Sequence, residues 1–272
     1  MHPGAAEVLR DIAYADGELQ RLDIHLPTGP SRAPVLVQIH GGAWSSSSKD
    51  MQGAKLTAQM TERGWICVAI GYRLAPAAKW PAQIVDTFLA LAWVREHIAA
   101  YGGDPERIAV MGRSAGGQLA ALAALAPDDP RWGVASTPVI ACVPFYGVYD
   151  LAGDDGDPYT VGLRDVGLLG NVFPADATIE DFRAASPLHR VRAGSPPFFV
   201  LHGDRDSYVP IRQAHVFVER LREVSRSAVE YVEVTGSGHG FDDFGSARGA
   251  RAIERAADWL DLQAAAKPVD QK

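Results

Sequence analysis

The sequence predicts an α/β protein built on a mostly parallel central β-sheet with helices on both faces. Six short runs are apolar at nearly every position, as strands are when both faces of a parallel sheet are covered. These runs alternate along the chain with stretches of helical periodicity. The strand-like runs are PVLVQIH, GWICVAIGY, IAVMG, VIACVPFYG, PFFVLHG and AVEYVEV, and the helical stretches cover residues 51–63, 80–101, 114–125, 210–224 and 246–266.

Two segments depart from this alternation. Residues 8–26 alternate between polar and apolar side chains around the turn Asp16-Gly17, which predicts an antiparallel hairpin. Residues 151–192 are rich in Asp, Gly and Pro and have little strand pattern, so we expect a lid or cap insertion over a pocket. Because the alternation elsewhere has no break in composition, residues 1–272 are predicted to form one domain.

The composition is that of a globular protein and argues against several classes of partner. Hydrophobic residues make up 47% of the 272 and charged residues 22%, unlike a disordered chain. The 26 basic and 33 acidic residues give a net charge of −7, so there is no basic field to attract nucleic acid. No run of about 18 apolar residues occurs, and we expect no stable insertion into a membrane.

The N-terminus and the two cysteines indicate a reducing compartment. The first seven residues have neither a basic region nor an apolar region typical of a signal peptide, so we expect a cytoplasmic protein. Cys67 and Cys142 lie inside apolar runs, which predicts buried free thiols in preference to a disulfide. The sequence leaves the oligomeric state open, and a homodimer is among the arrangements that it allows.

A candidate nucleophile lies in the turn Gly112-Arg113-Ser114-Ala115-Gly116. Ser114 follows the strand-like run IAVMG and precedes the helical run AGGQLAALAAL. This strand-turn-helix context is that of a nucleophile elbow, in which a strained turn projects the serine hydroxyl above the sheet. The pattern GxSxG alone is a weak signal, but its context favours a catalytic serine over an ordinary glycine turn.

A candidate oxyanion hole lies upstream, in His40-Gly41-Gly42-Ala43-Trp44, directly after the run PVLVQI. A tetrahedral oxyanion requires pre-oriented N–H donors, and glycines leave the backbone unobstructed. We expect donors at Gly41 and Gly42, joined by the N–H of Ala115 at the positive end of the following helix. The alternative is a plain tight turn between a strand and a helix.

A serine nucleophile also requires a base and an acid, and both are expected after it in the chain. His239 is the candidate base, because it lies between glycines in the loop after AVEYVEV, with little to pack against. Among the other histidines, His40 is expected to brace the oxyanion loop and His202 to have a structural role. The candidate acids, Asp204 and Asp206, share the loop after PFFVLHG, and spacing alone leaves the choice open.

Taken together, these motifs resemble the bacterial hormone-sensitive-lipase-like esterases of the α/β-hydrolase fold. HGGAW is similar to the HGGG motif of that family, GYRLAPAAKWPAQIVD to its YRLAP block, and GGDPERIAVMGRSAGGQLA to its elbow. ASPLHRV, LHGDRDSYVP and SGHGF are similar to the blocks around the acid and the base. The resemblance covers about residues 35–262. It implies that Asp206 is the acid, and that the chain hydrolyses short- to medium-chain carboxylic esters through an acyl-enzyme, without a cofactor.

Three features depart from the family pattern. Ala43 replaces the third glycine of HGGG, as in feruloyl esterases, acetyl-xylan esterases and kynurenine formamidases. Arg113 stands where the elbow commonly has Asp or Asn, and the segment before Val35 is short compared with the helical cap arm of the family. The pocket is therefore expected to be more open, with residues 151–192 supplying most of its cover.

Two alternatives remain beside the hypothesis that the chain is an esterase. The same triad would serve an amidase, a formamidase or a peptidase, and a chain with this fold could instead bind a ligand without catalysis. The substrate is expected to be a small-molecule ester, and no HExxH or CxxC spacing indicates a metal site. Four aromatic residues near strand ends are predicted to line the pocket, namely Trp44, Phe145, Tyr146 and Phe241.

Overall fold

An eight-stranded sheet forms the centre of the structure, a computed structural model that describes residues 7–29, 32–133, 137–154, 156–243 and 246–266. The strand order is β1-β2-β4-β3-β5-β6-β7-β8, and all pairs from β4 to β8 are parallel. The prediction of a mostly parallel sheet is confirmed. The strands are β1 (Glu7–Ala13), β2 (Arg21–Leu26), β3 (Ala33–Ile39), β4 (Ile66–Ile70), β5 (Gly103–Arg113), β6 (Ala141–Phe145), β7 (Phe198–Gly203) and β8 (Val229–Val234).

The predicted N-terminal hairpin is confirmed and extends the sheet at one edge. β1 and β2 pair antiparallel, with a register shift between Leu9 and Ile12. β2 also pairs antiparallel with β4, with Leu22 opposite Ile70. Two antiparallel strands therefore extend a six-stranded parallel sheet. The alternating polarity of residues 8–26 and the apolar runs that follow predict this arrangement.

Two hydrophobic cores cover the two faces of the sheet. The longer helices are α1 (Ala54–Glu62), α2 (Ala82–His97), α3 (Ala115–Leu125), α6 (Arg212–Val224) and α7 (Ala247–Ala265). Helices α2, α3 and α6 pack on one face together with Val35 and Val37 of β3, whereas α1 and α7 pack on the other face with Leu36. Because successive side chains of a strand point to opposite faces, β3 is apolar at every position except Gln38. The helices on both faces confirm the predicted class.

The segment 151–192 has more regular structure than its composition indicates. Its described residues contain α4 (Pro158–Gly162), one turn of π-helix (Leu163–Leu168), α5 (Ile179–Ala185) and a 3₁₀ turn (Pro187–Arg190). Phe173 stacks on Trp80 at 5.2 Å and on Phe182 at 4.3 Å, so the segment is anchored in the core of the sheet. Its function as a lid and the single domain over residues 1–272 remain predictions, and residues 1–6 and 267–272 lie outside the described part.

Both cysteines are free and buried, as predicted. Burial raises the pKa of the Cys67 and Cys142 thiols well above the usual value, because the charged thiolate is disfavoured away from water. Among the described residues, no helix is both long and apolar enough to cross a membrane.

The direction of the strand crossovers predicts where a ligand binds. From β3 the chain crosses to β4 on one side and then to β5 on the other side of β3, so the strand order reverses at this point. In open α/β sheets the loops at the carboxyl ends of strands flanking such a reversal diverge and leave a crevice. The loop after β3 and the turn after β5 therefore lie beside a crevice, and both carry candidate catalytic motifs.

Candidate active site

The predicted nucleophile occupies a strained turn between β5 and α3. Ser114 has φ 53° and ψ −119°, a backbone conformation that non-glycine residues rarely adopt. Its N–H donates to the Phe145 carbonyl at the end of β6, at 3.0 Å. A Cβ at Gly116 would collide with the backbone oxygens of Ile39 and His40, so only glycine allows α3 to approach β3 this closely. The strain is held by packing against two neighbouring strands.

The hydroxyl of Ser114 is partly exposed and makes no hydrogen bond within the described part of the chain. The N–H of Ala115, the first residue of α3, likewise has no acceptor among the residues described. A free hydroxyl and a free helix N-terminal donor therefore lie next to each other above the sheet. This arrangement suits attack on a carbonyl carbon whose oxygen gains negative charge.

The structure brings His239 and Asp206 together. Nδ1 of His239 lies 2.7 Å from Oδ2 of Asp206, and because the ionised carboxylate only accepts hydrogen bonds, Nδ1 is the donor. This bond fixes the tautomer and leaves Nε2 as the free base of the neutral ring. The imidazole is 20% exposed, whereas the Asp206 side chain is fully buried.

Asp206 stays ionised although it is buried. Burial favours the neutral acid, but hydrogen bonds from His202, from His239 and from the Val209 N–H outweigh it and hold the pKa of Asp206 well below its usual range. Both the Tyr208 and Val209 N–H groups donate to Oδ1 at 2.9 Å. The carboxylate is thus fixed in orientation and charge by the loop that carries it.

Asp204, the alternative acid, has a different function. Its Oδ1 accepts from the Gly236 N–H at 2.6 Å and from the Ser237 N–H at 3.2 Å. It therefore ties the loop after β7 to the loop after β8, and the geometry pairs His239 with Asp206. His202 is fully buried with Nε2 2.8 Å from the Val209 carbonyl, which agrees with the structural role expected for it.

The oxyanion loop requires one correction. The N–H of Gly41, predicted to be an oxyanion donor, donates instead to Oε1 of Gln52 at 2.7 Å, and one N–H has no second hydrogen to offer. The N–H groups of Gly42 and Ala43 have no acceptor among the described residues. The available donors are therefore shifted by one residue along the loop. No sequence motif marks Gln52, because its partner is a backbone atom eleven residues away.

The backbone of this loop explains the glycine pattern. Gly42 has φ +103° and Ala43 has φ 50°, both in the left-handed region. Glycine adopts this region freely, whereas an alanine there costs of order 1–3 kcal/mol. The departure at Ala43 is therefore tolerated at a cost in strain, and the surrounding hydrogen bonds must hold the loop.

His40 braces the loop, as expected. Its Nδ1 lies 2.7 Å from the Gly41 carbonyl, and its ring stacks on Tyr72 with centroids 4.2 Å apart. The Tyr72 hydroxyl in turn donates to the His40 carbonyl at 3.1 Å. Burial lowers the pKa of His40 to about 4, although the Gly41 carbonyl acts in the opposite direction. The ring is therefore neutral at neutral pH.

The four aromatic residues predicted to contact the substrate are instead buried side chains, with exposures of 4% or less. Phe145 is inaccessible and packs on Phe241 in the core, and the Trp44 indole donates to Gln118 Oε1 at 2.9 Å. The prediction of substrate contacts is corrected accordingly. It failed because position near a strand end does not determine which way an aromatic ring points. An exposed ring does lie beside the candidate base, since Tyr208 is 73% exposed with its ring 5.5 Å from His239.

Arg113, noted as unusual in the sequence, is fully buried and pairs with Asp242. Nε of Arg113 lies 2.5 Å from Oδ2 of Asp242, and the hydroxyl of Tyr146 donates to Oδ1 of the same carboxylate at 2.6 Å. Asp242 is not among the site residues predicted from the sequence. The sequence signal for this pair is weak. It consists of an acidic residue three positions after His239 and a basic residue directly before Ser114.

These features define the class of protein. A parallel sheet with a serine elbow after β5, an acid after β7 and a histidine after β8 is an α/β-hydrolase fold with the chain order serine, acid, histidine. The model of the BD-FAE family matches residues 22–221, and the chain belongs to that family. This membership confirms the resemblance to bacterial hormone-sensitive-lipase-like esterases.

Several relatives with printed activities are similar to the chain. The probable carboxylic ester hydrolase LipM of Mycobacterium tuberculosis is 45% identical over 95% of this chain and 64% of its own length. The esterase LipC of the same organism is 43% identical over 88% of this chain and 61% of its own length. The chain thus spans less than two thirds of each of these two relatives.

Among solved structures, a thermophilic esterase of the planctomycete Thermogutta terrifontis, Est2, superposes with a TM-score of 0.75 at 29% identity in its propionate-bound form. That comparison covers 96% of this chain and 94% of the esterase. A form of the same esterase phosphorylated by paraoxon superposes equally well, with a TM-score of 0.75 at 27% identity.

Proposed function

We propose that the chain is a serine esterase that hydrolyses carboxylic esters of small molecules through an acyl-enzyme intermediate. The observation that carries the proposal is the His239–Asp206 hydrogen bond of 2.7 Å, which lies at the same edge of the sheet as the strained elbow of Ser114. It leaves Nε2 of His239 without a hydrogen-bond partner among the described residues, so that this nitrogen can serve as the base. The esterase names of LipM, LipC and Est2 support the same reaction.

The reaction begins with attack of Ser114 Oγ on the ester carbonyl carbon, while Nε2 of His239 takes the hydroxyl proton. Asp206 stabilises the imidazolium through Nδ1–H. The tetrahedral intermediate then expels the alcohol, which takes the proton from Nε2 as the carbon–oxygen bond breaks. Water repeats the same steps on the acyl-enzyme and releases the carboxylic acid and free Ser114.

The developing oxyanion is held by the N–H groups of Gly42, Ala43 and Ala115. All three lack an acceptor within the described residues, and Ala115 adds the positive end of the α3 dipole. The removal of one such donor typically costs about 2.7–4 kcal/mol of transition-state stabilisation. Gln52 supports this group indirectly, because it fixes the Gly41 peptide that precedes the donors.

We propose a preference for short acyl chains. The side chains around the elbow that could form a deep acyl pocket are already packed, as Phe145 and Trp44 show by exposures of 0% and 3%. A short acyl group requires the least rearrangement of these rings. The propionate-bound form of Est2 is consistent with a short acyl site in a related esterase.

A series of p-nitrophenyl esters from acetate to laurate tests the proposal. The wild-type chain is expected to turn over the short esters fastest, with a burst of nitrophenol equal to the enzyme concentration where deacylation is slow. Ser114→Ala is expected to abolish both the burst and the turnover. Ser227→Ala is the matched control. Ser227 lies just before β8, and its hydroxyl donates to the Ser195 carbonyl. Full turnover by the Ser114→Ala variant would refute the mechanism.

Covalent labelling separates the serine mechanism from ligand binding without catalysis. Since Est2 has been solved phosphorylated by paraoxon, we expect paraoxon to add one diethylphosphoryl group to Ser114. Intact-mass and peptide mass spectrometry detect the addition. Binding of esters without labelling or turnover would support the ligand-binding alternative, and turnover of anilides alone would support an amidase.

The choice of acid is tested by two matched substitutions. Asp206→Asn is expected to lower kcat by about 10⁴-fold, because the amide favours the wrong imidazole tautomer. Asp204→Asn keeps a side-chain carbonyl oxygen for the Gly236 and Ser237 N–H groups and is expected to lose little activity. The reverse ranking of the two kcat values would overturn the assignment of Asp206.

A further inference from the structure

A buried ion pair joins the nucleophile elbow to the loop of the base. Arg113 directly precedes Ser114, and Asp242 follows His239 by three residues. Their side chains are 2% and 1% exposed, with Nε and Oδ2 2.5 Å apart. The guanidinium also lies over the Phe145 ring, with Cζ 5.3 Å from its centroid. The elbow and the base loop are therefore linked by a charged contact inside the core.

Tyr146 connects this pair to the catalytic imidazole. Its hydroxyl donates to Oδ1 of Asp242 at 2.6 Å, and its ring centroid lies 4.4 Å from that of His239. The Tyr146 backbone is in the left-handed region, with φ 38°, and its N–H donates to the Leu201 carbonyl at 2.7 Å. Asp242 therefore fixes the ring that supports one side of His239.

The neighbouring charge of Asp242 keeps Arg113 protonated, and burial keeps the Tyr146 phenol neutral. Burial disfavours the charge on Arg113, but Asp242 outweighs this and raises the pKa of the guanidinium above its usual value. Burial, reinforced by the carboxylate of Asp242, also raises the pKa of the Tyr146 phenol well above its usual value. Tyr146 therefore remains a neutral donor to Asp242 in the pH range in which an esterase operates.

A second contact holds the same loop from outside. Nζ of Lys55 on α1 donates to the backbone carbonyls of Asp242 at 3.3 Å and Asp243 at 2.8 Å. The side chain of Asp242 is thus held from the elbow and its backbone from α1. The short loop that carries His239 is therefore held on two sides.

We propose that Arg113, Asp242 and Tyr146 are positioning residues that set the place of His239 relative to Ser114. Asp206 orients the ring through one bond at Nδ1, about which the imidazole can still swing. The Tyr146 ring, clamped through Asp242 to the residue before the nucleophile, restricts that swing. The inference rests on the proposed serine mechanism and adds to it a part of the base-positioning machinery that lies outside the triad.

The clamp differs from a contact that only stabilises the fold. A structural pair affects the amount of folded protein and leaves kcat per folded molecule unchanged. A clamp affects the chemical step, because a displacement of about 1 Å in a catalytic group can cost about 100-fold in rate. KM is expected to change little, since none of the three side chains is exposed enough to bind substrate.

The test compares two conservative substitutions in the full-length chain. Tyr146→Phe keeps the ring and removes only the hydroxyl that binds Asp242. Tyr14→Phe is the matched control, because the Tyr14 hydroxyl also makes one buried bond of 2.6 Å, to the Gly71 carbonyl beside β2. We expect Tyr146→Phe to lower kcat by about 10- to 100-fold with KM nearly unchanged, and Tyr14→Phe to leave both unchanged.

A spectroscopic readout reports the position of His239 directly. The Nδ1 proton that His239 donates to Asp206 at 2.7 Å is expected to give a far-downfield proton NMR resonance in the folded chain. In the Tyr146→Phe variant this resonance is expected to broaden or shift, because the ring samples more orientations. In the Tyr14→Phe variant the resonance is expected to match that of the wild type, even where both substitutions lower the unfolding midpoint by the same amount.

A second set of variants keeps the test decisive if Tyr146→Phe folds poorly. Arg113→Met leaves the buried Asp242 carboxylate without its partner and is expected to lower kcat. Arg113→Gln combined with Asp242→Asn removes both charges and keeps both links, since the Asn carbonyl oxygen accepts from the Tyr146 hydroxyl and the Asn amide donates to the Gln carbonyl oxygen. The double variant is therefore expected to recover most of the kcat that Arg113→Met loses.

Wild-type kcat and an unchanged His239 resonance in Tyr146→Phe would overturn the inference. So would equal losses in Tyr146→Phe and Tyr14→Phe, or a double variant no more active than Arg113→Met. These outcomes are distinct from failure of the proposed function. That failure is read from Ser114→Ala, which would then retain activity whatever the positioning variants do.

Discussion

Acidification from pH 7 to pH 5 is expected to destabilise the fold through one buried histidine in the oxyanion loop. His40 is 5% exposed, stacks on Tyr72 and donates to the Gly41 carbonyl. Burial lowers its pKa to about 4, against a usual value of 6.5 in the unfolded chain. Between these values the unfolded chain binds a proton that the folded chain does not. The contribution of neutral His40 to the free energy of unfolding is therefore complete above about pH 6.5 and is lost as the pH falls towards 4.

The size of the effect follows from the gap between the two pKa values. One pKa unit corresponds to about 1.4 kcal/mol, so complete titration of His40 would remove ~3 kcal/mol of the free energy of unfolding. Of this, ~2 kcal/mol is expected to be lost between pH 7 and pH 5. A domain of ordinary stability has about 5–15 kcal/mol, so the loss is large enough to measure.

Urea unfolding of the wild type and of His40→Asn at both pH values measures the effect. Asn carries its Nδ2 at the same number of bonds from the backbone as Nδ1 of His, so it can still donate to the Gly41 carbonyl but does not titrate. The wild type is expected to lose ~2 kcal/mol more than the variant between pH 7 and pH 5. The comparison cancels the titration of all other groups. An equal loss in both proteins would show that His40 does not carry the pH dependence.

Three further predictions concern the elbow, the oxyanion loop and the thiols. Gly116→Ala is expected to abolish soluble folded protein, judged by circular dichroism, because the added methyl group meets backbone oxygens, whereas Gly162→Ala enters open space and should fold normally. Gln52→Ala is expected to lower kcat more than it changes KM, whereas Gln52→Glu keeps an acceptor and should retain more activity. Neither Cys67 nor Cys142 is expected to react with a thiol reagent until the chain is unfolded, and rapid labelling of the native protein would contradict their burial.

The order of strands and long helices could be predicted because burial leaves a periodic trace. β3 is apolar at successive positions, and it lies in the middle of a sheet that is covered on both faces. The N-terminal hairpin left the complementary alternating pattern. The segment 151–192 left neither pattern, because its short helices are held by a few aromatic contacts, such as that of Phe173 with Trp80, and not by a repeating face.

The site could be predicted where a motif constrains the backbone and not where side chains meet across the fold. Ser114 and His239 are predicted from their positions after strands, whereas the choice of Asp206 over Asp204 comes from the family resemblance, and the structure pairs Asp206 with His239. The donor at Gly41 was misassigned because its partner, Gln52, depends on how the loop folds back. The prediction that four aromatic residues contact the substrate failed for a similar reason, because packing decides the direction in which a ring points.

The buried pair of Arg113 and Asp242 also constrains how this sequence can change over evolutionary time. Loss of one member of a buried ion pair typically costs about 3–5 kcal/mol, whereas exchange of both for apolar residues is often neutral or favourable. A single substitution at either position would therefore remove a large share of a stability of about 5–15 kcal/mol. Related chains should carry both charges or neither, so positions 113 and 242 are expected to covary although 129 positions separate them in the sequence.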